Sequence, residues 1–373
     1  MPGGRIGAIV LKVAELCNLN CSYCYLYQHE DQSYRRRPKF MSDEVYEHTL
    51  VRIREYCDRR APHTMSITFH GGEPTLAAPQ WFDWAATRAR DVLGDRLEGL
   101  LLQTNATRLD ADWIEVLGRH RIRPSVSLDG PPQVHDRLRV DHQGVGSYAS
   151  TIRGLRLLQE HDFAPSILCV VAPSASGLET YRHFRALNVT RMSFLLPDVS
   201  HDNKERLYSR YGPTPVADYL IPVFDDWFDE DDPDIHIGVF WELLAMMRGG
   251  RPRTDAFGNP SMAYVIVETD GSIHANDALR VCADGTSDSG LSVRAHGFDD
   301  LQVGLPLVHR LVHEGLALCR TCEACSERRI CGGGHPPHRY ARANGFDNLS
   351  VWCADILKLL SHIRLRLHDA VPA

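Results

Sequence analysis

Cysteines supply the clearest chemistry in this sequence, because seven of the eleven fall into two tight clusters. The first cluster, Cys17-Asn-Leu-Asn-Cys21-Ser-Tyr-Cys24, has the spacing C-x3-C-x2-C. Three thiolates on one loop can hold three irons of a [4Fe–4S] cubane and leave the fourth iron open to another ligand. Zinc is the alternative, although it usually takes four protein ligands in a closed tetrahedron. The second cluster comprises Cys319, Cys322, Cys325 and Cys331.

The composition is that of a folded, acidic protein. Hydrophobic residues make up 43% of the 373 residues, and 41 basic against 48 acidic side chains give a net charge of −7. This balance argues against general binding to the phosphate backbone of nucleic acids. No stretch approaches the roughly 18 apolar residues that cross a bilayer, so we expect a cytoplasmic protein with no membrane partner. Thiols stay reduced in the cytoplasm, which favours metal sites over disulfides.

Six short apolar runs must position the first cluster, because it directly follows the first of them. The runs are rich in Val, Ile, Leu or Phe and cover residues 8–13, 65–69, 99–103, 124–128, 167–171 and 192–196. Their alternation with amphipathic stretches predicts an α/β fold of six β–α units. Right-handed crossovers would close such parallel strands into a partial (β/α)6 barrel of TIM type, with functional groups at the C-terminal ends of the strands.

Local signals predict three further elements. Ser42 is a candidate N-cap for a helix over Asp43–Arg59. Residues 264–269 and 272–275 flank Asp270-Gly271, which is a turn signal for a β-hairpin. An amphipathic helix is expected over residues 354–368.

The first cysteine cluster, with Tyr23 before its last cysteine, resembles the signature of the radical S-adenosylmethionine (SAM) enzymes. Gly71-Gly72-Glu73-Pro74 after the second apolar run is similar to the GGEP segment of that family. Polar segments also follow the third and fourth runs, and these are Thr104-Asn105-Ala106 and Ser127-Leu-Asp129-Gly130. A single Gly-Gly-Glu-Pro would more often be an ordinary turn. All four placements at strand ends agree with the barrel.

The resemblance implies that the first cluster holds a [4Fe–4S] centre and that the methionine part of SAM chelates its open iron. The ammonium group then needs acceptors, which the carbonyls of the two glycines and the carboxylate of Glu73 could supply. Ribose hydroxyls need short polar side chains. Arg139 could pair with the methionine carboxylate, or it could be a surface helix charge. The predicted SAM contacts are Gly71, Gly72, Glu73, Asn105, Ser127, Asp129 and Arg139.

The second cysteine region resembles the auxiliary-cluster ligands of the SPASM domain, which occurs in radical SAM enzymes that modify peptides and proteins. It combines the spacing Cys322-x2-Cys325-x5-Cys331 with Cys353, 22 positions further on. Four thiolates complete a cubane with no open iron, which suits electron transfer or structure. A four-cysteine zinc ribbon is the alternative. The resemblance therefore implies two [4Fe–4S] clusters, one radical SAM and one auxiliary.

One departure from the SPASM pattern concerns another auxiliary cluster that full domains usually carry. Its four cysteine positions are occupied here by Asp255, Ser261, Asn276 and His335. We therefore expect this further cluster to be missing. Two cysteines remain over, Cys282 and Cys319, and they could be buried thiols or could bind a metal together with His335. Cys57 and Cys169 are interpreted as core residues of a helix and a strand.

Asp277 directly follows one of the lost positions. It matches an Asp that is thought to take a proton from the substrate radical in the related sulfatase-maturating enzymes. An oxidation that begins with loss of a hydrogen atom must also lose a proton and an electron, so a base near the substrate and a cluster that accepts the electron form a coherent pair. Asp277 is the predicted catalytic residue, with a turn cap as the alternative.

The segment between Cys331 and Cys353 looks closest to SPASM maturases that cross-link short ribosomal peptides, including cyclophane formers. The resemblance covers residues 9–360, and the sulfatase-maturating enzymes are more distant. It implies a radical SAM oxidoreductase in which a 5′-deoxyadenosyl radical abstracts hydrogen from a precursor-peptide side chain, and the carbon radical then forms an oxidative intramolecular cross-link. The alternatives are a formylglycine-generating sulfatase maturase, a small-molecule dehydrogenase, and an iron–sulfur or zinc module without catalysis.

The expected partners are the precursor peptide and an external electron donor of the flavodoxin or ferredoxin kind. No peptide-recognition domain precedes the first predicted strand, so the leader is expected to dock on the C-terminal half or on a separate recognition protein. The predicted organisation is a radical SAM partial barrel over residues 1–200, a helical linker over 201–255, and a smaller Cys-rich SPASM-like domain over 256–373 that ends in a helix.

Overall fold

The structure is a computed structural model that describes residues 5–302 and 305–370. Within these residues the chain forms ten strands, numbered in chain order. They are β1 (Ala8–Ala14), β2 (Met65–Gly71), β3 (Leu97–Thr104), β4 (Arg123–Ser127), β5 (Ser166–Val170), β6 (Arg191–Leu195), β7 (His236–Ile237), β8 (Tyr264–Val267), β9 (Ser272–His274) and β10 (Asp288–Ser292).

Thirteen α-helices accompany the strands in the described part of the chain. They are α1 (Asp43–Arg59), α2 (Pro79–Leu93), α3 (Ala111–Arg119), α4 (Pro132–Leu138), α5 (Tyr148–Glu160), α6 (Gly177–Ala186), α7 (Lys204–Tyr208), α8 (Pro215–Glu230), α9 (Gly238–Met247), α10 (Pro306–His313), α11 (Arg320–Glu323), α12 (Arg328–Cys331) and α13 (Cys353–Ala370). Short 3-10 helices cover Ser33–Arg36, Pro74–Leu76, Gly94–Arg96, Ser209–Tyr211, Asp277–Val281, Phe298–Gln302 and Pro336–Arg339.

The chain divides into two compact units. The first comprises the described residues up to Ser127, together with Arg139–Pro165 and Ser261–Gly315. The second comprises Leu128–Leu138, Ser166–Pro260 and the described residues from Leu316 onward. The domain boundaries predicted at residues 200 and 255 refer to family domains and not to compact units, so they stay a prediction.

The first unit is built on a sheet with the strand order β10-β9-β8-β1-β2-β3-β4. Strands β1 to β4 pair in parallel, and β8 adds in parallel to the other edge of β1. Strands β8 and β9 form the antiparallel hairpin that Asp270-Gly271 predicted, with Gly271 at φ +87° in the turn. Apolar side chains of the central strands, such as Ile9, Phe69 and Leu102, are fully buried and form the core.

Local sequence determines where α1 begins. The Oγ of Ser42 accepts a hydrogen bond from the backbone N–H of Val45, as expected for an N-cap. Asp43 and Glu44 occupy the first turn, where acidic side chains interact favourably with the helix dipole. The predicted helix over Asp43–Arg59 is therefore confirmed at both ends.

The second unit contains the parallel strands β5, β6 and β7 in that order. Its helices α8 and α13 contact each other, and the side chain of Asp355 in α13 accepts hydrogen bonds from the N–H groups of Val216 and Ala217 at the start of α8. The cysteine-rich segment lies in the short helices α11 and α12 and in the turns around them.

The predicted α/β fold class is confirmed, and each of the six expected strands lies within two residues of its predicted ends. Across the described residues, the structure contains no helix with the length and apolar character needed to cross a membrane.

Candidate active site

The Gly-Gly-Glu-Pro segment lies directly against the chain that leads into the first cysteine cluster. The N–H of Gly72 donates to the carbonyl of Ala14 at 2.7 Å, and the N–H of Glu73 donates to the carbonyl of Leu16 at 2.8 Å. A Cβ atom on Gly71 would lie 2.3 Å from the Ala14 oxygen, and one on Gly72 would lie 2.3 Å from the Leu16 oxygen. Only glycine permits this approach, which places the cysteine loop beside the end of β2.

Cys17, Cys21 and Cys24 occupy one loop directly after β1. The Cys17 sulfur accepts a hydrogen bond from the N–H of Leu19 at 3.4 Å, and the N–H of Cys24 donates to the carbonyl of Cys21. Burial raises the pKa of Cys24 to about 11, and it raises the pKa of Cys17 still further. Such thiols need a bound metal cation to become thiolates at neutral pH.

Glu73 is almost completely buried, and its carboxylate accepts four hydrogen bonds. The donors are the N–H and hydroxyl of Thr75, the hydroxyl of Thr104 and the N–H of Asn105, at 2.6–3.0 Å. Burial raises the pKa of Glu73, although these hydrogen bonds favour the ionised form. Glu73 therefore joins the ends of β2 and β3, and its predicted contact with the SAM ammonium stays a prediction.

Asn105 and Arg139 are further predicted SAM contacts, and both lie in the first unit. The amide nitrogen of Asn105 is 3.9 Å from the Cys17 sulfur and 2.9 Å from the side-chain oxygen of Asn18. The guanidinium of Arg139 lies 3.9 Å from the Cys21 sulfur and 5.5 Å from the centre of the Tyr23 ring. Asn105 and Arg139 thus both reach the cysteine loop.

Ser127 and Asp129 have different surroundings. The Ser127 hydroxyl accepts a hydrogen bond from the Gln103 amide at 2.9 Å in the first unit. Asp129 belongs to the second unit, where its fully buried carboxylate accepts a hydrogen bond from the N–H of Val170 at 3.0 Å. The predicted contacts of Ser127 and Asp129 with SAM stay predictions.

Asp277 begins a 3-10 helix in the first unit, and its neighbour Asn276 caps that helix by accepting a hydrogen bond from the N–H of Ala278. The Oδ2 atom of Asp277 forms an ion pair with Lys12 and accepts a hydrogen bond from the Tyr25 hydroxyl at 3.2 Å. Its Oδ1 atom is buried without a hydrogen-bond partner. Asp277 is therefore not the turn cap, and one of its oxygens keeps its acceptor capacity.

The charges around Asp277 keep it ionised. Burial alone would raise its pKa, but the positive charges of Lys12 and Arg280 outweigh burial and hold the pKa below its ordinary value. Lys12 is 1% exposed in the middle of β1. Its ammonium also lies 3.2 Å from Nδ1 of His70, and this nitrogen accepts the N–H of Gly71 at 2.7 Å. Burial and Lys12 lower the pKa of His70 to about 3, so His70 is neutral.

Arg280 joins Asp277 to a buried group of charges. The fully buried guanidinium pairs with Glu268 and lies 3.6 Å from Oδ1 of Asp277 and 3.8 Å from Asp31. Such a group fixes the 3-10 helix against the segments that carry its partners, because an unpaired buried charge costs several kcal/mol. Sequence reasoning singled out none of Lys12, Tyr25, His70 and Arg280. The one signal in the sequence was Lys12, a single charged residue inside the apolar run that forms β1.

The predicted auxiliary ligands Cys322, Cys325, Cys331 and Cys353 all belong to the second unit. Besides burial, the neighbouring Cys353 and Cys325 act to raise the pKa of Cys331. Burial raises the pKa of Cys322 to about 12 and that of Cys331 to about 11. Cys319 interacts with Cys322 and is therefore a fifth thiol beside the four.

The unfilled hydrogen-bond donors of the buried, cationic Arg339 indicate whether a cluster fits among these cysteines. Its Nε and Nη1 atoms are buried without hydrogen-bond partners. Burial lowers the pKa of Arg339, and Cys322 and Cys319 oppose that shift when they are ionised. An anionic iron–sulfur cluster is the kind of group that satisfies such donors. The residues present thus fit a metal cluster held by thiolates.

Two of the positions that replace the further auxiliary cluster meet in the second unit. Nε2 of His335 lies 3.4 Å from Asp255, and Nδ1 lies 3.5 Å from Asp198. Burial alone would lower the pKa of His335, but the two carboxylates raise it to about 10. An ion pair therefore links two positions that carry cysteines in the full pattern.

The remaining cysteines are buried. Cys57 in α1 and Cys169 in β5 are 1% and 0% exposed, so their interpretation as core residues is confirmed. Cys282 is 1% exposed in the first unit, whereas Cys319 and His335 belong to the second.

Comparisons with known proteins show what the whole chain is similar to. Residues 11–185 match the family model of the Radical SAM superfamily. A serine-type anaerobic sulfatase-maturating enzyme of Bacteroides thetaiotaomicron is 24% identical over 95% of this chain and 88% of its own length. A cysteine-type enzyme of Clostridium perfringens is 24% identical over 94% of both chains.

Solved structures show the same fold. Native anSMEcpe with bound AdoMet aligns with a TM-score of 0.83 and 22% identity over 97% of this chain and 98% of its own. Streptococcus suis SuiB bound to its precursor peptide SuiA aligns with a TM-score of 0.61 and 15% identity, over 90% of this chain and 72% of its own.

Proposed function

Since this chain is a radical SAM enzyme, we propose that it oxidises a side chain of a ribosomally made precursor peptide and closes an intramolecular cross-link of the cyclophane type. The observation that carries the oxidation step is Asp277, which is ionised and is held by Lys12 on one oxygen. Its other oxygen has no hydrogen-bond partner and lies 3.6 Å from Nε of Arg280. An oxidation that starts with loss of a hydrogen atom needs such a proton acceptor.

The cofactors would be held by thiolates in both units. Cys17, Cys21 and Cys24 would ligate the radical SAM cluster, with SAM between the Gly-Gly-Glu-Pro segment and Arg139. Cys322, Cys325, Cys331 and Cys353 would ligate the auxiliary cluster. When bound, the clusters would supply the electron that cleaves SAM and an acceptor for the electron that the substrate loses.

The chain's own residues then account for the remaining proton. The substrate would lose one hydrogen atom to the radical that bound SAM would supply, and after bond formation it would have to lose one proton and one electron. Asp277 accepts the proton at Oδ1. Lys12 orients the carboxylate and compensates its charge, and the neutral His70 holds the Lys12 ammonium in place. The product carries two hydrogens fewer than the precursor.

A second candidate is maturation of a sulfatase by oxidation of Ser or Cys to formylglycine. It is favoured by the 24% identity to sulfatase-maturating enzymes over at least 94% of this chain. Against it, the Asp255–His335 ion pair stands where the full SPASM pattern places two ligands of a further cluster. The two candidates share the step at Asp277 and differ in the fate of the carbon radical.

Co-expression separates the candidates. The enzyme is produced with each short open reading frame encoded beside its gene, and separately with a sulfatase-derived peptide that contains the Ser or Cys target. We expect a neighbouring peptide that has lost two hydrogens and resists fragmentation between the linked residues in tandem mass spectrometry. An aldehyde on the sulfatase peptide, trapped by a hydrazide, would establish the second candidate instead.

The proposed partners follow from this chemistry. SAM cleavage consumes an electron, which a flavodoxin- or ferredoxin-like donor would supply in the cytoplasm. The precursor leader would dock on the C-terminal half or on a separate recognition protein.

A further inference from the structure

The second unit buries a cation whose hydrogen-bonding capacity the protein does not fill. Arg339 ends the 3-10 helix Pro336–Arg339 and is 0% exposed. One terminal nitrogen, Nη2, donates to the carbonyls of Ala317 and Phe346, at 3.1 Å in the second case. The Nε and Nη1 atoms have no partner. A buried, permanently charged guanidinium with two unfilled donor atoms costs several kcal/mol unless an anion lies beside it.

The path of the side chain shows where that anion belongs. The Arg339 side chain passes over Gly333, since a Cβ on Gly333 would lie 3.4 Å from Cδ and 3.5 Å from Nε of Arg339. Gly333 follows the predicted ligand Cys331 by two residues, and Ala317 precedes Cys319 by two. The guanidinium thus lies between the two ends of the cysteine-rich segment. Glycine at position 333, with φ +83°, leaves room for it.

The negative groups around Arg339 are mainly sulfurs. Burial lowers the pKa of Arg339, and Cys322, Cys319, Asp347 and Cys331 oppose that shift when they are ionised. Asp347 is exposed, so solvent screens its charge. Among these groups, the cysteines remain as the source of a buried anionic partner for Arg339, because thiols become thiolates when they ligate a metal.

We infer that Arg339 is a positioning residue for the auxiliary cluster. Arg339 donates hydrogen bonds from Nε–H and Nη1–H to the cluster sulfurs and raises the reduction potential of the cluster. The inference rests on the auxiliary cluster of the proposed function. Hydrogen bonds to sulfur and local charge both set the potentials of such clusters. Reduction adds one negative charge, so a fixed cation favours the reduced form over the oxidised form. Arg339 would make the auxiliary cluster a better acceptor for the electron that leaves the substrate.

The test uses the full chain with Cys17, Cys21 and Cys24 replaced by Ala, so that the auxiliary cluster alone is titrated by electron paramagnetic resonance. In that background, Arg339→Met should lower the ratio of reduced to oxidised cluster about tenfold at a fixed potential, which is about 59 mV for a one-electron couple. Arg339→Gln keeps N–H donors without the charge, and Arg339→Lys keeps the charge without the planar arrangement of guanidinium N–H donors. Both should give smaller shifts in the same direction.

Arg328→Met is the matched control, because Arg328 lies between Cys325 and Cys331 but is exposed. Solvent screens an exposed charge, so this variant should change the ratio less than about twofold. Unchanged potentials in the Arg339 variants, with the cluster assembled, would overturn the inference and leave the proposed function intact. Absence of iron from the triple cysteine variant would overturn the auxiliary cluster and the inference together.

A second measurement needs no change at position 339. Protein made with ¹⁵N-arginine should show ¹⁵N hyperfine coupling to the reduced auxiliary cluster in pulsed electron paramagnetic resonance. The reason is that Nε–H and Nη1–H of Arg339 would donate hydrogen bonds to the cluster sulfurs. The coupling should persist in Arg328→Met and disappear in Arg339→Lys. A spectrum without ¹⁵N coupling would show that no arginine donates to the cluster, even if every Arg339 variant failed to assemble.

Discussion

The two cysteine regions of this protein are built in different ways. The loop after β1 is held by main-chain hydrogen bonds to the Gly-Gly-Glu-Pro segment, and buried charges of its unit pair with one another, Lys12 with Asp277 and Arg280 with Glu268. The C-terminal cysteine region contains the four-residue helices α11 and α12 and three consecutive glycines with positive φ. Its buried cation, Arg339, has two donor atoms without a partner.

This difference separates two uses of a metal cluster. In the first region the main chain of the cysteine loop has protein partners. Oδ1 of Asp277 and Nε of Arg280, which lack hydrogen bonds, form an ion pair with each other at 3.6 Å, so we expect this fold to form without the proposed cluster. In the second region Nε and Nη1 of Arg339 have no partner, so the proposed auxiliary cluster would contribute to folding as well. Removing ligands should therefore have different consequences for stability in the two units.

The largest expected effect is loss of SAM cleavage when Cys17, Cys21 and Cys24 are all replaced by Ala. No ligand of the radical SAM cluster then remains, so 5′-deoxyadenosine should be undetectable by chromatography. Iron after anaerobic reconstitution should fall from about eight to about four per chain. The melting temperature should change little, because the loop keeps its main-chain hydrogen bonds. Zinc in place of iron in the unaltered protein would contradict the whole assignment.

The matched variant replaces Cys322, Cys325, Cys331 and Cys353 by Ala. It should keep about four irons and cleave SAM without forming the cross-linked product. Its melting temperature should fall more than that of the first variant, because Arg339 loses its anion. Equal melting temperatures for the two variants would break the comparison between the regions.

Asp277→Asn should leave the two clusters and SAM cleavage in place while product formation falls roughly 10²- to 10⁴-fold, the usual loss when a general base is removed. Asn keeps the shape but cannot accept a proton as a carboxylate does. Asp284→Asn, at an exposed aspartate that pairs with Arg36, is the control and should be active. Near-normal product from Asp277→Asn would make Asp277 structural, and loss of 5′-deoxyadenosine would place it in the SAM site.

Lys12→Met sharpens the same prediction through pH. Lys12 holds the pKa of Asp277 below its ordinary value, whereas burial acts to raise it. Removing Lys12 should therefore raise the pKa of Asp277 and move the acid limb of the product-formation profile to higher pH. A profile that keeps its shape and only loses amplitude would show that Lys12 acts on folding alone.

Sequence predicted the fold well because its signals are local. Alternation of apolar and polar residues located six strands, and Ser42 located the start of α1. The glycines at positions 71 and 72 were singled out by resemblance, and the structure supplies their physical reason, which is the close approach to the carbonyls of Ala14 and Leu16.

The groups around Asp277 could not be predicted in this way. Lys12 occupies one polar position in an apolar run, and its meaning depends on a contact with a residue far along the chain. That contact arises because β8 pairs with β1, and the 3-10 helix that begins at Asp277 follows the β8–β9 hairpin closely along the chain. Periodicity does not encode which strands pair. Arg339 was missed for a related reason, since its burial depends on turns that have no period.

Glu73→Ala should have a moderate effect, about tenfold weaker SAM binding by calorimetry with both clusters assembled. The substitution leaves four donors buried without their acceptor, namely the N–H and hydroxyl of Thr75, the hydroxyl of Thr104 and the N–H of Asn105, and each such loss costs about 1–3 kcal/mol. Glu73→Gln keeps one acceptor oxygen and should lose less. SAM affinity equal to that of the unaltered protein in Glu73→Ala would restrict Glu73 to a turn residue.

The smallest expected effect concerns the ion pair that stands at two positions of the further auxiliary cluster. The pKa of His335 is raised from an ordinary value of about 6.5 to about 10, so its stabilising contribution is complete below pH 6.5 and is lost as pH rises through 10. His335→Gln should reduce the free energy of unfolding by about 1 kcal/mol near neutral pH, since the ring and both carboxylates are partly exposed. The difference should vanish near pH 10, and Asp255→Asn in the same background should add little. A pH-independent difference in anaerobic unfolding would show that His335 stabilises the second unit by packing alone.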